Sequence, residues 1–227
     1  MDVSEPDEQP GSSERGPKAR TRKLMLETAI ALMQGGQTPS VSAVAEAAEV
    51  SRATAYRYFP SQAALVHAVV DEALGPILGW ASDSGEAGPR VADLIDSSMP
   101  RILEFEATFK AALKLSLEQW AERQAGTLGS EPAFKRGHRV DLLQQAIAPL
   151  RGTLPEPQFR RLAQALSLTY GLEVLIVLKD IWGLAFDETR DVALWAADAL
   201  VRAAIAEAHG GTSGKLAGNT GAMTAWD

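Results

Sequence analysis

Three serines at positions 40, 51 and 61 divide the stretch SVSAVAEAAEVSRATAYRYFPSQAAL into pieces too short to fold alone. Each serine can cap a helix, its hydroxyl accepting an orphan backbone N–H of the first turn. After Ser40, the residues Val41, Val44, Ala45 and Ala48 recur at helical spacing and make one apolar face. After Ser51, Ala55, Tyr56 and Phe59 continue an apolar stripe, and Pro60 ends the second helix. Ser61 opens a third helix through Ala64, Leu65, Ala68 and Val69. Helix nucleation is costly, so two helices this short need a third across their backs. Residues 19–34 supply it, with Leu24, Ala29, Leu32 and Met33 as its apolar face and Gly35-Gly36 as its stop.

This is a helix-turn-helix pattern, in which the second helix enters the DNA major groove. Its outward residues suit that role. Arg52 and Arg57 are candidates for base contact, because a guanidinium can grip guanine O6 and N7 with two bonds. Thr54 lies close to bases or backbone. Ser40, Tyr56 and Tyr58 are candidates for phosphate contact, and Ser51 caps the reading helix. Ahead of the pair lies a basic run, Arg15, Lys18, Arg20, Arg22 and Lys23, of which Arg20 and Arg22 are candidates to reach phosphates or the minor groove.

The run Ser40-Val41, Val44-Ala45, Ala48, Val50-Ser51, Thr54-Ala55-Tyr56, Tyr58-Phe59, Ser61 and Leu65 resembles the TetR family of transcriptional regulators. By motif the resemblance covers about residues 20–70. Two positions depart from the pattern. Glu49 stands where the turn usually has glycine, which places a non-glycine residue at a site suited to positive φ. Gln62 stands where the family usually has a lysine on phosphate, which implies weaker anchoring there.

Charge becomes informative once divided. The net charge is −7 over 227 residues. Residues 1–14 contribute −5, residues 15–60 contribute +4 and the remainder −6. The basic part is the part expected to meet double-stranded DNA, and phosphate affinity follows local charge.

The rest reads as helix, giving an all-α chain with no useful period-2 segment. The expected organisation is a disordered acidic tail at 1–16, a DNA-binding domain at 17–65, a helical regulatory and dimerisation domain at 66–209, and a disordered tail at 210–227. Within the body, helices are expected at 91–121 (broken at Met99-Pro100 or near Thr108), 136–150, 156–182 and 187–208. The stretch Leu166–Leu178 is apolar on nearly every side, which calls for cover from a second subunit. The expected two-fold interface uses Leu172, Leu175, Ile176, Trp195, Ala199 and Ala203. The resemblance implies the same dimer and a small-molecule pocket. Phe105, Phe109, Trp120 and Tyr170 are candidate walls of that pocket, with Glu118 and Glu173 as candidate polar contacts. An alternative for Glu173 is pairing with Lys179 or with an arginine across the dimer.

Catalysis is not expected. There is no cysteine, His67, His138 and His209 lack metal-ligand spacing, and no phosphate-binding or nucleophile-elbow motif occurs. No cofactor is implied. No signal peptide or membrane span is expected, so the chain reads as cytoplasmic. The expected function is a homodimeric regulator, a repressor released from a palindromic operator by a small molecule. The alternative is a helical interaction or ligand-carrier module whose head no longer binds DNA.

Overall fold

The computed structural model describes residues 16–130, 132–134 and 137–210. The two tails expected to be disordered lie outside these residues, apart from Gly16 and Gly210. The described residues are all-α, with only an isolated bridge between Arg151 and Leu154 outside helix and turn. The helices are α1 (Pro17–Gln34), α2 (Val41–Ala47), α3 (Arg52–Tyr58), α4 (Gln62–Leu74), α5 (Ala87–Glu104), α6 (Glu106–Ala125), α7 (His138–Ala146), α8 (Glu156–Leu166), α9 (Leu172–Val174) and α10 (Phe186–His209). Among them, none is long and apolar enough to cross a membrane.

The chain divides into two compact units, Met1–Gly79 with Pro100–Arg136, and Trp80–Met99 with Gly137–Asp227. The boundary at Met99/Pro100 falls inside α5, which continues through Pro100 to Glu104. The expected break at Met99-Pro100 is absent, and the alternative expected near Thr108 is met three residues earlier. The interruption is the single residue Phe105, with φ −101 and ψ 22. Proline removes one N–H from the helix ladder without ending it here.

In the first unit, α1, α2, α3, α4 and α6 share one core. Met25, Leu26, Val44, Ala45, Leu65, Val66 and Phe59 pack with Ala111, Ala112, Leu115 and Phe134. Of the expected face of α1, Ala29 and Met33 are buried and Leu32 half-buried, while Leu24 is exposed and Met25 and Leu26 take its place in the core.

In the second unit, α8 packs against α7 and α10. Arg90 of α5 donates to the carbonyls of Ala146 (3.1 Å) and Gln145 (2.9 Å) at the end of α7. The single long helix expected over 156–182 is broken between Leu166 and Leu172. Ser167 and Thr169 return their hydroxyls to the carbonyls of Ala163 and Leu166, both at 2.9 Å, and so satisfy the helix end. Gly171 then turns the chain at φ 100, a conformation that glycine adopts without Cβ strain. The chain resumes as α9 and a π-helical stretch, Leu175–Ile181. The break also changes the packing. Leu166, Tyr170, Leu172, Val174 and Leu175 are all buried by the chain's own residues. Leu168, 81 % exposed, and Val177 of the same run stay at the surface.

Candidate nucleic-acid interface

The three serine caps stand where the sequence puts them. Ser40 Oγ accepts from Ala43 N (3.1 Å), Ser51 Oγ from Thr54 N (3.2 Å) and Ser61 Oγ from Ala64 N (3.1 Å). Ser51 also donates to Thr54 Oγ1 at 2.9 Å, which orders the start of α3.

The turn between α2 and α3 is a Schellman closure. Val50 N donates to Ala45 O (2.8 Å) and Glu49 N to Glu46 O (3.1 Å). Glu49 occupies the left-handed position at φ 54 and is the one non-glycine residue with positive φ among the described residues. The turn therefore forms without glycine, at a local strain of about 1 kcal/mol.

Helix α3 buries Ala55 and, just past its end, Phe59. Arg52, Ala53, Tyr56 and Arg57 are exposed, and Thr54 and Tyr58 are half-buried. Tyr56 lies beside Ser42 of α2, with the two hydroxyl oxygens 3.3 Å apart. Ser42 was not singled out in the sequence. It lies beside the buried Val41 at the first turn of α2, and only the docking of α3 reveals the contact. Arg57 leans over the ring of Tyr58 at 5.6 Å, and Arg22 of α1 leans over Phe59 at 5.8 Å. Arg22 thereby joins the end of α3, so α1 contributes charge to the same surface. Among the described residues, Arg20, Arg22, Arg52 and Arg57 form no ion pair, whereas Lys23 pairs with Glu27.

Gln62 is turned to another task. Its side-chain amide donates to the carbonyls of Thr38 (3.1 Å) and Pro39 (3.2 Å). These contacts tie the start of α4 to the connection before α2.

The candidate pocket residues scatter in character. In the first unit, Phe109 is buried and Phe105 is half-buried, with the Arg101 guanidinium 4.8 Å from its ring centre. Glu118 and Trp120 are surface residues of α6, Trp120 being 58 % exposed and Glu118 lying 3.8 Å from Lys114. In the second unit, Tyr170 is buried and Glu173 is ion-paired with Arg139 of α7. An arginine is thus the partner of Glu173 as the sequence allows, but one of its own chain. Arg139 also donates to Ser167 O at 3.3 Å. Burial raises the Tyr170 phenol above its ordinary 10.0, against the lowering effects of a Ser98 hydrogen bond and the Arg139 charge.

Of the candidate dimer residues, Leu172 and Leu175 are covered within the chain, Ile176 and Ala199 are half-buried, and Trp195 and Ala203 are exposed. Val177, Ile181, Trp182 and Val192 are large apolar residues left at the surface of the same unit.

A capped pair of short helices with an exposed, arginine-bearing second helix is the arrangement of a helix-turn-helix head. Residues 26–69 match the family described as "Bacterial regulatory proteins, tetR family". The fold is similar to the crystal structure of a TetR transcriptional regulator from Rhodococcus sp. RHA1, at 20 % identity and TM-score 0.52, over 82 % of this chain and 97 % of that one. No curated protein matches the chain. The head sequence thus matches that family over residues 26–69, and the fold as a whole is similar to that of a TetR regulator.

Proposed function

We propose that this protein is a homodimeric transcriptional repressor that binds a near-palindromic operator and is released by a small molecule held in its body. The observation that carries the reading is the exposed face of α3, where Arg52 and Arg57 stand unpaired on a helix capped by Ser51. Two such helices in one dimer reach successive major grooves about 34 Å apart. Arg52 and Arg57 read bases, and Thr54, Tyr56, Tyr58 and Ser40 hold the backbone, with Arg20 and Arg22 adding phosphate contacts from α1.

Dimerisation is supported by the surface of the second unit. Ile181, Trp182 and Trp195 are each at least 70 % exposed, an apolar area that a second copy covers with its own. Support for an effector is the family resemblance, together with the polar group Ser98, Tyr170, Arg139 and Glu173 in the second unit.

Selection of bound sequences from a random DNA pool at about 0.15 M salt tests the reading, since non-specific phosphate contacts are already weakened there. The expected result is an enriched two-fold-symmetric motif. A folded dimer that enriches nothing contradicts it.

A further inference from the structure

Helix α4 ends in an unusual way. Its cap residue, Gly75, has φ 47 and ψ −115, and closes a single backbone bond to Asp71 O. A helix end leaves its last four carbonyls without partners. Three of these are taken by one side chain from another helix. Arg101 Nε lies 2.5 Å from Ala73 O and 3.1 Å from Leu74 O, and its Nη2 lies 3.1 Å from Glu72 O. The same guanidinium sits over the Phe105 ring at 4.8 Å. A Cβ at position 75 would stand 2.8 Å from Arg101 Nη2, so the space a side chain would need belongs to the arginine. All of these residues lie in the first unit.

The chemistry is specific to arginine. A planar fork can serve several carbonyls at once while its face rests on an aromatic ring, which a lysine ammonium cannot do. Its positive charge also opposes the negative end of the α4 dipole. The helix held in this way carries the head: Leu65, Val66 and Val69 of α4 share the core cluster with Val44 and Ala45 of α2 and with Ala55 and Phe59 at α3. Thirteen residues of helix make a lever of roughly 20 Å. A tilt of about 5° at its clamped end moves the far end by roughly 2 Å over such a length.

We propose that Arg101, seated against Gly75, is a positioning residue that fixes the direction of α4 and so sets the spacing at which two heads read DNA. This rests on the DNA-reading dimer described above. Arg101 touches no DNA. It acts through the carbonyls of α4, and releasing it loosens the spacing between half-sites while leaving the half-site sequence intact.

The test compares the wild-type protein with Arg101→Gln, Arg101→Lys and Gly75→Ala in selections from random DNA. In Arg101→Gln the share of recovered sites at the wild-type spacing falls about tenfold, spread over neighbouring spacings, with the half-site unchanged. Arg101→Lys, which keeps the charge and loses the fork, falls on the same side, and Gly75→Ala, which displaces the guanidinium, matches it. A uniform loss of affinity with wild-type spacing retained, in variants that are folded dimers, overturns the proposal and leaves Arg101 a stabilising cap only. Backbone hydrogen exchange supplies a readout without DNA. Exchange at the amides of Ala73, Leu74, Gly75 and Ile77 rises about tenfold in Arg101→Lys while residues 41–59 keep their protection; unchanged exchange at those four overturns the clamp itself. Failure of the wild-type protein to enrich any motif contradicts the DNA-reading proposal, and the exchange result then decides the clamp alone.

Discussion

Glu49 sets the tension in the head. It holds a left-handed φ of 54 in a turn whose two backbone bonds need that conformation. Glycine adopts it without Cβ strain, so Glu49→Gly is expected to raise head stability by about 0.5–1 kcal/mol, read as a higher melting temperature with DNA binding retained. Arg57 tests the reading face. Arg57→Ala is expected to weaken operator binding by about 1–3 kcal/mol and to relax preference at one base position, measured by titration against single-base variants of the site. An unchanged preference removes Arg57 from the base readers. Tyr170 tests the body. Its phenol is raised above the ordinary 10.0 mainly by burial, so the unfolded chain gives up this proton at lower pH than the folded one. The stability this residue contributes is whole below the ordinary range and is lost as pH rises from there through the folded value. Tyr170→Phe is therefore expected to flatten the alkaline fall in stability followed by circular dichroism.

Short capped helices were the most legible elements. Ser40, Ser51 and Ser61 announce α2, α3 and α4 because a cap is a local interaction between a hydroxyl and an amide three residues on. Ser51→Ala is accordingly expected to cost about 1 kcal/mol in denaturant unfolding of the head. Elements governed by distant partners were less legible. The apolar run from Leu166 read as one helix, yet two hydroxyls and Gly171 break it, and the turn buries part of the run while Leu168 and Val177 stay exposed. Gln62 read as a phosphate donor because its position does so in the family. Its partners, the carbonyls of Thr38 and Pro39, lie more than twenty residues away and carry no side-chain signature. Arg101 was missed for the same reason: its partners are backbone carbonyls of α4. Arg139 as the partner of Glu173 lay 34 residues distant and was equally invisible.

For the whole molecule, the proposed dimer surface and the proposed DNA-reading face belong to different units and separate experimentally. Charging the exposed apolar surface, with Ile181→Glu and Trp195→Glu together, is expected to yield a folded monomer by sedimentation, with operator affinity lost in proportion to dimer. A dimer that persists would place the interface elsewhere. The central claim is that the exposed α3 face reads DNA sequence, and it is tested most directly by competition between the selected operator and a scrambled duplex at about 0.15 M salt. The expected preference is roughly a thousandfold or more for the wild-type protein, falling steeply when Arg52 and Arg57 are both replaced by alanine. A wild-type ratio near one, or a high ratio that survives the double substitution, would contradict the account.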